Sequence, residues 1–136
     1  MKKHLFITVL LFFVVVVIGC SGKRDVTGIW KGKLDGTNKG LASGQVTNIT
    51  DTIELMLAQS DKNISGKITL ANVSNPVSFT IKSGIIVDKA ISLEADELKI
   101  DAVVNGNSID GKFSFYYGGM LEERRQITAS FQAKKI

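Results

Sequence analysis

From Gly28 to the end of the chain, apolar side chains return at every second position, and no segment carries a sustained 3.6-residue stripe. Trp30, Gly32 and Leu34 share one face while Lys31 and Lys33 take the other. Ile49, Ile53, Leu55 and Leu57 repeat the pattern, as do Ile64, Gly66, Ile68 and Leu70. Val77, Phe79 and Ile81 follow, then Ile85 and Val87 beyond a break at Ser83-Gly84, then Ile91, Leu93 and Ala95. Leu98, Ile100, Ala102 and Val104 form the next face, and Ile109, Gly111, Phe113, Phe115 and Tyr117 the one after. Arg125, Ile127, Ala129, Phe131 and Ala133 make the last. Successive side chains of a strand point to opposite faces, so each of these segments has one face to bury and one to leave in water.

The connections are short. Ser60-Asp61-Lys62-Asn63, Asp88-Lys89, Asp96-Glu97 and Asn105-Gly106-Asn107-Ser108 are rich in residues that turn a chain, and Asn-Gly is a strong hairpin signal. The glycine-rich stretch 35–45 has no apolar rhythm and reads as a loop. Short connections place sequence neighbours side by side. An open meander of this length would expose two unpaired edges, and closing the sheet removes both. The expected fold is therefore all-β: a single small antiparallel up-and-down β-barrel of about eight strands over residues 27–136, with an interior just wide enough for side chains or one small ligand. The segments 63–70 and 108–115 share a pattern of polar turn, apolar entry and inward glycine, which sharp barrel curvature would explain.

The first twenty residues follow other rules. Lys2 and Lys3 precede an apolar run over 5–18, which suits a signal-peptide core of roughly 7–15 residues. That run is shorter than the ~20 apolar residues a spanning helix needs. Val17-Ile18-Gly19-Cys20 resembles the lipobox of bacterial lipoproteins. The resemblance implies that residues 1–19 are removed and that Cys20 carries a thioether-linked diacylglycerol, usually with N-acylation as well. Residues 20–26 would then be lipidated cysteine and tether. Two or more acyl chains hold a protein stably where one does not. The expected location is a bacterial cell envelope, bound to membrane through Cys20. Ser21, rather than an aspartate, favours the outer membrane over the inner where the host has two.

Loss of residues 1–19 leaves 117 of the 136 residues, with 15 cationic side chains against 13 anionic ones, a net charge of +2. His4 leaves with the signal, and the only cysteine is committed to lipid. The mature domain then lacks the commonest general base, Ser-His and Cys-His nucleophilic pairs, and nitrogen or sulfur zinc sites. No cofactor is expected. Asp35-Gly36-Thr37-Asn38-Lys39-Gly40 lacks the alternating oxygens of a calcium loop, so no metal is expected either. Cations are scattered in ones and twos, which argues against nucleic acid.

Gly28-Ile29-Trp30 resembles the Gly-x-Trp opening of lipocalins and related small barrels. That resemblance implies a tryptophan closing the barrel floor and packing against an arginine from near the chain end, here Arg125. Phe79, Phe113, Phe115, Tyr117 and Phe131 face inward with Trp30 and Arg125, and are the candidate lining for an apolar ligand. The expected role is non-catalytic: either a small hydrophobic ligand in the barrel, or a structural or inhibitory contact with an envelope protein through loops and rim. In the second case the 35–45 stretch would be the contact surface.

Overall fold

The computed structural model describes residues 25–71 and 77–136. The signal segment, the lipobox and Cys20 lie outside these residues. Among the described residues nine strands occur: β1 (Gly28–Gly40), β2 (Val46–Ser60), β3 (Asn63–Leu70), β4 (Val77–Thr80), β5 (Ser83–Val87), β6 (Ala90–Ala95), β7 (Leu98–Asn105), β8 (Ser108–Tyr117) and β9 (Arg125–Lys135). All pairings are antiparallel, and no helix is present among the described residues.

The sheet closes on itself. Its order runs β2-β1-β9-β8-β7-β6-β5-β3, and β3 returns to β2, which makes a barrel-like ring of eight strands. β4 attaches to β3 alone, and it continues into β5 as one bent strand. At the bend the amide of Ile81 donates to the carbonyl of Gly66, and the next amide, of Lys82, donates to Glu94 on β6. The chain thus changes neighbours within a single residue.

Four two-residue loops join consecutive strands, at 61–62, 88–89, 96–97 and 106–107. Asp61, Asp88, Glu97 and Gly106 take left-handed backbone conformations there, with φ of 56°, 55°, 56° and 58°. The 61–62, 88–89 and 106–107 loops share one end of the ring with residues 25–27 and the chain end. The 41–45, 96–97 and 118–124 loops share the other.

The ring differs from the sequence reading in two places. Residues 35–45 are not a loop: β1 runs on to Gly40, leaving only 41–45 as the connection. Glycine marks close approach here, not a turn. A Cβ on Gly32 would lie 1.7 Å from the carbonyl oxygen of Gln132, and one on Gly36 would lie 2.1 Å from that of Thr128. These inward glycines let the backbone of β9 press against β1. The second difference lies in β5, where Ile86 faces the core and Ile85 and Val87 face solvent. The inward positions run Ile81, Gly84, Ile86, so the alternation slips by one residue at the β4–β5 bend. β5 is apolar on both faces, and its sequence alone fits either register.

Elsewhere the expected faces are the buried ones, from Trp30 and Leu34 through Ile100 and Phe113 to Ala133. Gly32→Ala should cost about 1–3 kcal/mol, the usual range for forcing atoms into a packed site. Denaturant midpoints against Lys33→Ala, its exposed neighbour, measure this. Equal midpoints for the two variants would contradict the close approach.

Candidate functional site

The floor of the ring is built first. Trp30 is 1% exposed, and its Nε1 donates to the carbonyl of Val26 at 2.9 Å. Val26 is fully buried, and its amide donates to Gln59 Oε1 at 2.9 Å, so the segment entering β1 folds under the ring and stoppers it. The cation near the tryptophan is Lys135, whose Nζ lies 5.6 Å from the indole centroid. It is not Arg125. Trp30 pairs with Lys135 across β1 and β9, whereas Arg125 pairs with Gly40, ten positions along β1. At 3.3 Å per residue that is about 30 Å, so no Arg125–Trp30 stack forms.

Above the floor the interior is filled. A void large enough for a ligand would leave accessible surface on its walls, yet Trp30, Leu34, Ile53, Ile68, Ile100 and Phe113 are each at most 1% exposed. Phe131 is buried beside Gly111, where its ring occupies the space a Cβ would need. Trp30, Phe113 and Phe131 are therefore core-filling side chains.

The other candidates meet at the opposite end. Phe79 and Phe115 stand edge to face with centroids 5.0 Å apart, and Phe115 stacks on Tyr117 at 5.8 Å. Beside this ladder is a polar clasp. Arg125 Nε donates to Asn38 Oδ1 at 3.1 Å and its Nη1 to Glu123 Oε1 at 3.1 Å, while Asn38 Nδ2 donates to the Tyr117 hydroxyl at 2.6 Å. Glu123 also accepts from the Ser43 amide at 2.9 Å and from Ser43 Oγ at 2.8 Å, which ties the 41–45 and 118–124 loops together. Ladder and clasp together form a plug across the mouth.

Beyond the plug stands a bare apolar tip. Gly118 and Gly119 (φ 80° and 106°) turn the chain out of β8, and the Gly119 amide donates to the carbonyl of Glu122. Met120 and Leu121 project from this turn at 98% and 102% exposure. The alternating pattern does not reveal them, because they lie outside any alternating segment. The available signal was an apolar pair between Gly-Gly and a charged run, with no strand face to receive it.

Two grooves mark the outer wall. One, of about 680 Å³, is lined by Ile85, Val87, Ala90 and Val103, with Asp101, Asp110 and Lys112 at its polar side. The other, of about 720 Å³, runs past Lys31, Lys33 and Lys134, with Asp35 and Asp110 among its lining. Neither opens on the mouth. No group of three or more His, Cys, Asp or Glu side chains able to hold a metal occurs among the described residues.

The closed all-β ring, stoppered below and plugged above, defines the class of this domain. No family model matches the chain, and no curated protein does so either.

The rim clasp carries a pH dependence. Hydrogen bonds from the Ser43 amide and then its hydroxyl hold the Glu123 carboxyl below its ordinary value of 4.5, with Arg125 adding a smaller pull. A depressed folded value means that the contribution is complete above the unfolded value and lost as pH falls through the folded one. The Ser43 amide resonance should therefore titrate with a midpoint below 4.5, and Glu123→Gln should abolish that titration. A midpoint at or above the ordinary value would show that the clasp does not hold in solution.

Proposed function

We propose that this chain is a lipid-anchored, non-catalytic binding protein of a bacterial cell envelope, which presents the rim at its plugged end to a protein partner. Exposure of Met120 and Leu121 carries the reading. Other large apolar side chains of the described residues are exposed in part, but Met120 and Leu121 are fully bare, and two such residues side by side at a loop tip mark a contact surface. The polarity of the ring agrees with this. Residue 25 enters at the floor, so a tether from Cys20 would hold the floor toward the membrane and the rim away from it. Acylation of Cys20 and outer-membrane residence rest on the lipobox resemblance alone.

The alternative, a small apolar ligand inside the barrel, is favoured by the Phe79–Phe115–Tyr117 ladder. It requires that ladder to swing aside, because the space below is occupied. A lipocalin-like carrier role draws its support from Gly28-Ile29-Trp30 and the closed ring, and it meets the same obstacle.

Three measurements test these readings. A photo-crosslinking amino acid at Leu121 in the full chain, in cells, should capture a protein, and the same probe at Met56 on the outer wall should not. Equal capture at both positions, or none, would remove the rim as a contact surface. Solvent extraction of protein purified from its host should yield no stoichiometric apolar molecule, and fatty acids should leave Trp30 fluorescence unchanged; a co-purifying lipid would move the weight to the carrier reading. Cys20→Ala should release the chain from membranes, and continued membrane association would end the anchoring claim without touching the rim.

A further inference from the structure

We propose that the free edge of β4 receives an extended, uncharged segment of a protein partner as an added strand. The inference rests on the reading of the rim as a contact surface, and it names what the partner offers there. β4 borders the plugged mouth through Phe79, whose ring meets that of Phe115. Among the described residues it pairs with β3 alone, so one of its two sides has no neighbouring strand.

The ladder sets where the main-chain groups point. In an antiparallel pair, residues that exchange hydrogen bonds with their partners alternate with residues whose groups face away. The Ile81 amide donates to the Gly66 carbonyl of β3 at 2.9 Å, so Phe79, opposite Ile68, and Val77, opposite Leu70, also turn their groups to β3. Ser78 and Thr80 turn theirs the other way. Lys82, two residues on, does the same, and its amide reaches the Glu94 carbonyl of β6 at 2.8 Å. β6 then ends at Ala95. The 96–97 turn leans to β8, where the Tyr116 amide donates to the Glu97 carbonyl at 3.1 Å. Ser78 and Thr80, both exposed, face the space that β6 leaves. Only an extended chain presents donors and acceptors at the spacing of such an edge.

Side chains set the kind of segment. Val77, half-exposed, and Phe79, half-buried, share one face of β4, while Ser78 and Thr80 take the other. A strand that alternates apolar and polar residues lays its apolar side chains beside Val77 and Phe79. The charges around the space are balanced. Lys82 pairs with Asp96 and Arg124 with Glu97, while Glu94 lies opposite Lys99 across β6 and β7. Lys67 is one strand removed, on β3. A charged segment would find no unmatched opposite charge along this edge, which favours a neutral one. Short edges resist indiscriminate pairing, so β4 adds to the contact made by Met120 and Leu121 and does not replace it.

A synthetic peptide of alternating valine and threonine, capped at both ends, tests this on the full-length chain in detergent. Hydrogen exchange read by NMR should find the Ser78 and Thr80 amides unprotected in the free chain. With peptide at about ten times its Kd, both should slow about tenfold, while the Phe79 amide, already bonded to β3, stays as it was. The same peptide N-methylated at every amide should protect neither. Thr80→Pro removes an outward amide and no ladder bond, so it should abolish peptide binding and leave Trp30 fluorescence unchanged. Protection of Ser78 and Thr80 without peptide would show the edge already covered and overturn the proposal. Binding that survives N-methylation, or no slowing at any soluble peptide concentration, would overturn it equally. In cells, a Leu121 probe that captures its protein at full yield in Thr80→Pro would overturn the edge and leave the rim reading intact. Failure of that probe in the unaltered chain would sink the rim reading, and peptide protection would still decide the edge.

Discussion

The pairing of β1 with β9 is the constraint on which the other features depend. It joins the first strand to the last over a register running from Trp30↔Lys135 to Gly40↔Arg125. Without it the sheet would be a meander with two long open edges, and every inward side chain would sit on a face half open to water. The seam works because small residues meet across it: Gly32 lies opposite Ala133 and Gly36 opposite Ala129, while Leu34 between them lies opposite Phe131. Two pinches and a bulky pair alternate along the seam. Backbones approach at the pinches, and the core is filled where they part.

Most of this fold is legible in the chain, and the exceptions share one cause. Alternation with short turns locates all the inward faces except that of β5, and it fixes the four tight loops at 61–62, 88–89, 96–97 and 106–107. It fails where a residue's role depends on what lies across the sheet. Gly36 and Gly40 read as loop residues because glycine lacks a face; only the neighbouring β9 backbone shows why glycine is required at Gly36, while Gly40 lies against the Glu123 carboxylate. Ile85, Ile86 and Val87 are all apolar, so the slip at the bend is set by the hand-over from Gly66 to Glu94 and not by composition. Gly66 and Gly111 occupy matching places in two similar segments, yet they answer different demands. Gly66 takes φ 137° against the Met56 carbonyl, whereas Gly111 gives its space to the Phe131 ring and the Ala102 methyl.

The candidate site was legible in its residue types and not in its geometry. Phe79, Phe115, Tyr117 and Arg125 do converge, but as a plug, and Trp30, Phe113 and Phe131 lie below it in solid core. Inward direction follows from parity, while height along the barrel follows from register. Arg125 has the parity to meet Trp30 and lies about ten residues too high. Lys135 has the same parity as Arg125 and covers the indole because it is the residue in register. A cation over an indole is worth about 0.5–1 kcal/mol when exposed, enough to favour the contact without fixing it.

What remains is to ask where the chain gives up stability it might have had. Burying one large aliphatic side chain contributes about 1.5–3 kcal/mol, so each of Met120, Leu121, Ile85 and Val87 forgoes an amount comparable to a fair share of a small domain's margin. Mutation readily replaces such residues on a surface, since polar side chains there are almost neutral. The interior offers no such slack, because its floor, core and plug already satisfy one another. Selection acting on a recognition surface has only the outer wall, the rim and the loops to work with. Those are the regions where the alternation is broken, at β5 and beyond Gly118-Gly119. The departures from pattern, and not the aromatic interior that first suggests a binding cavity, are therefore where the proposed contact belongs.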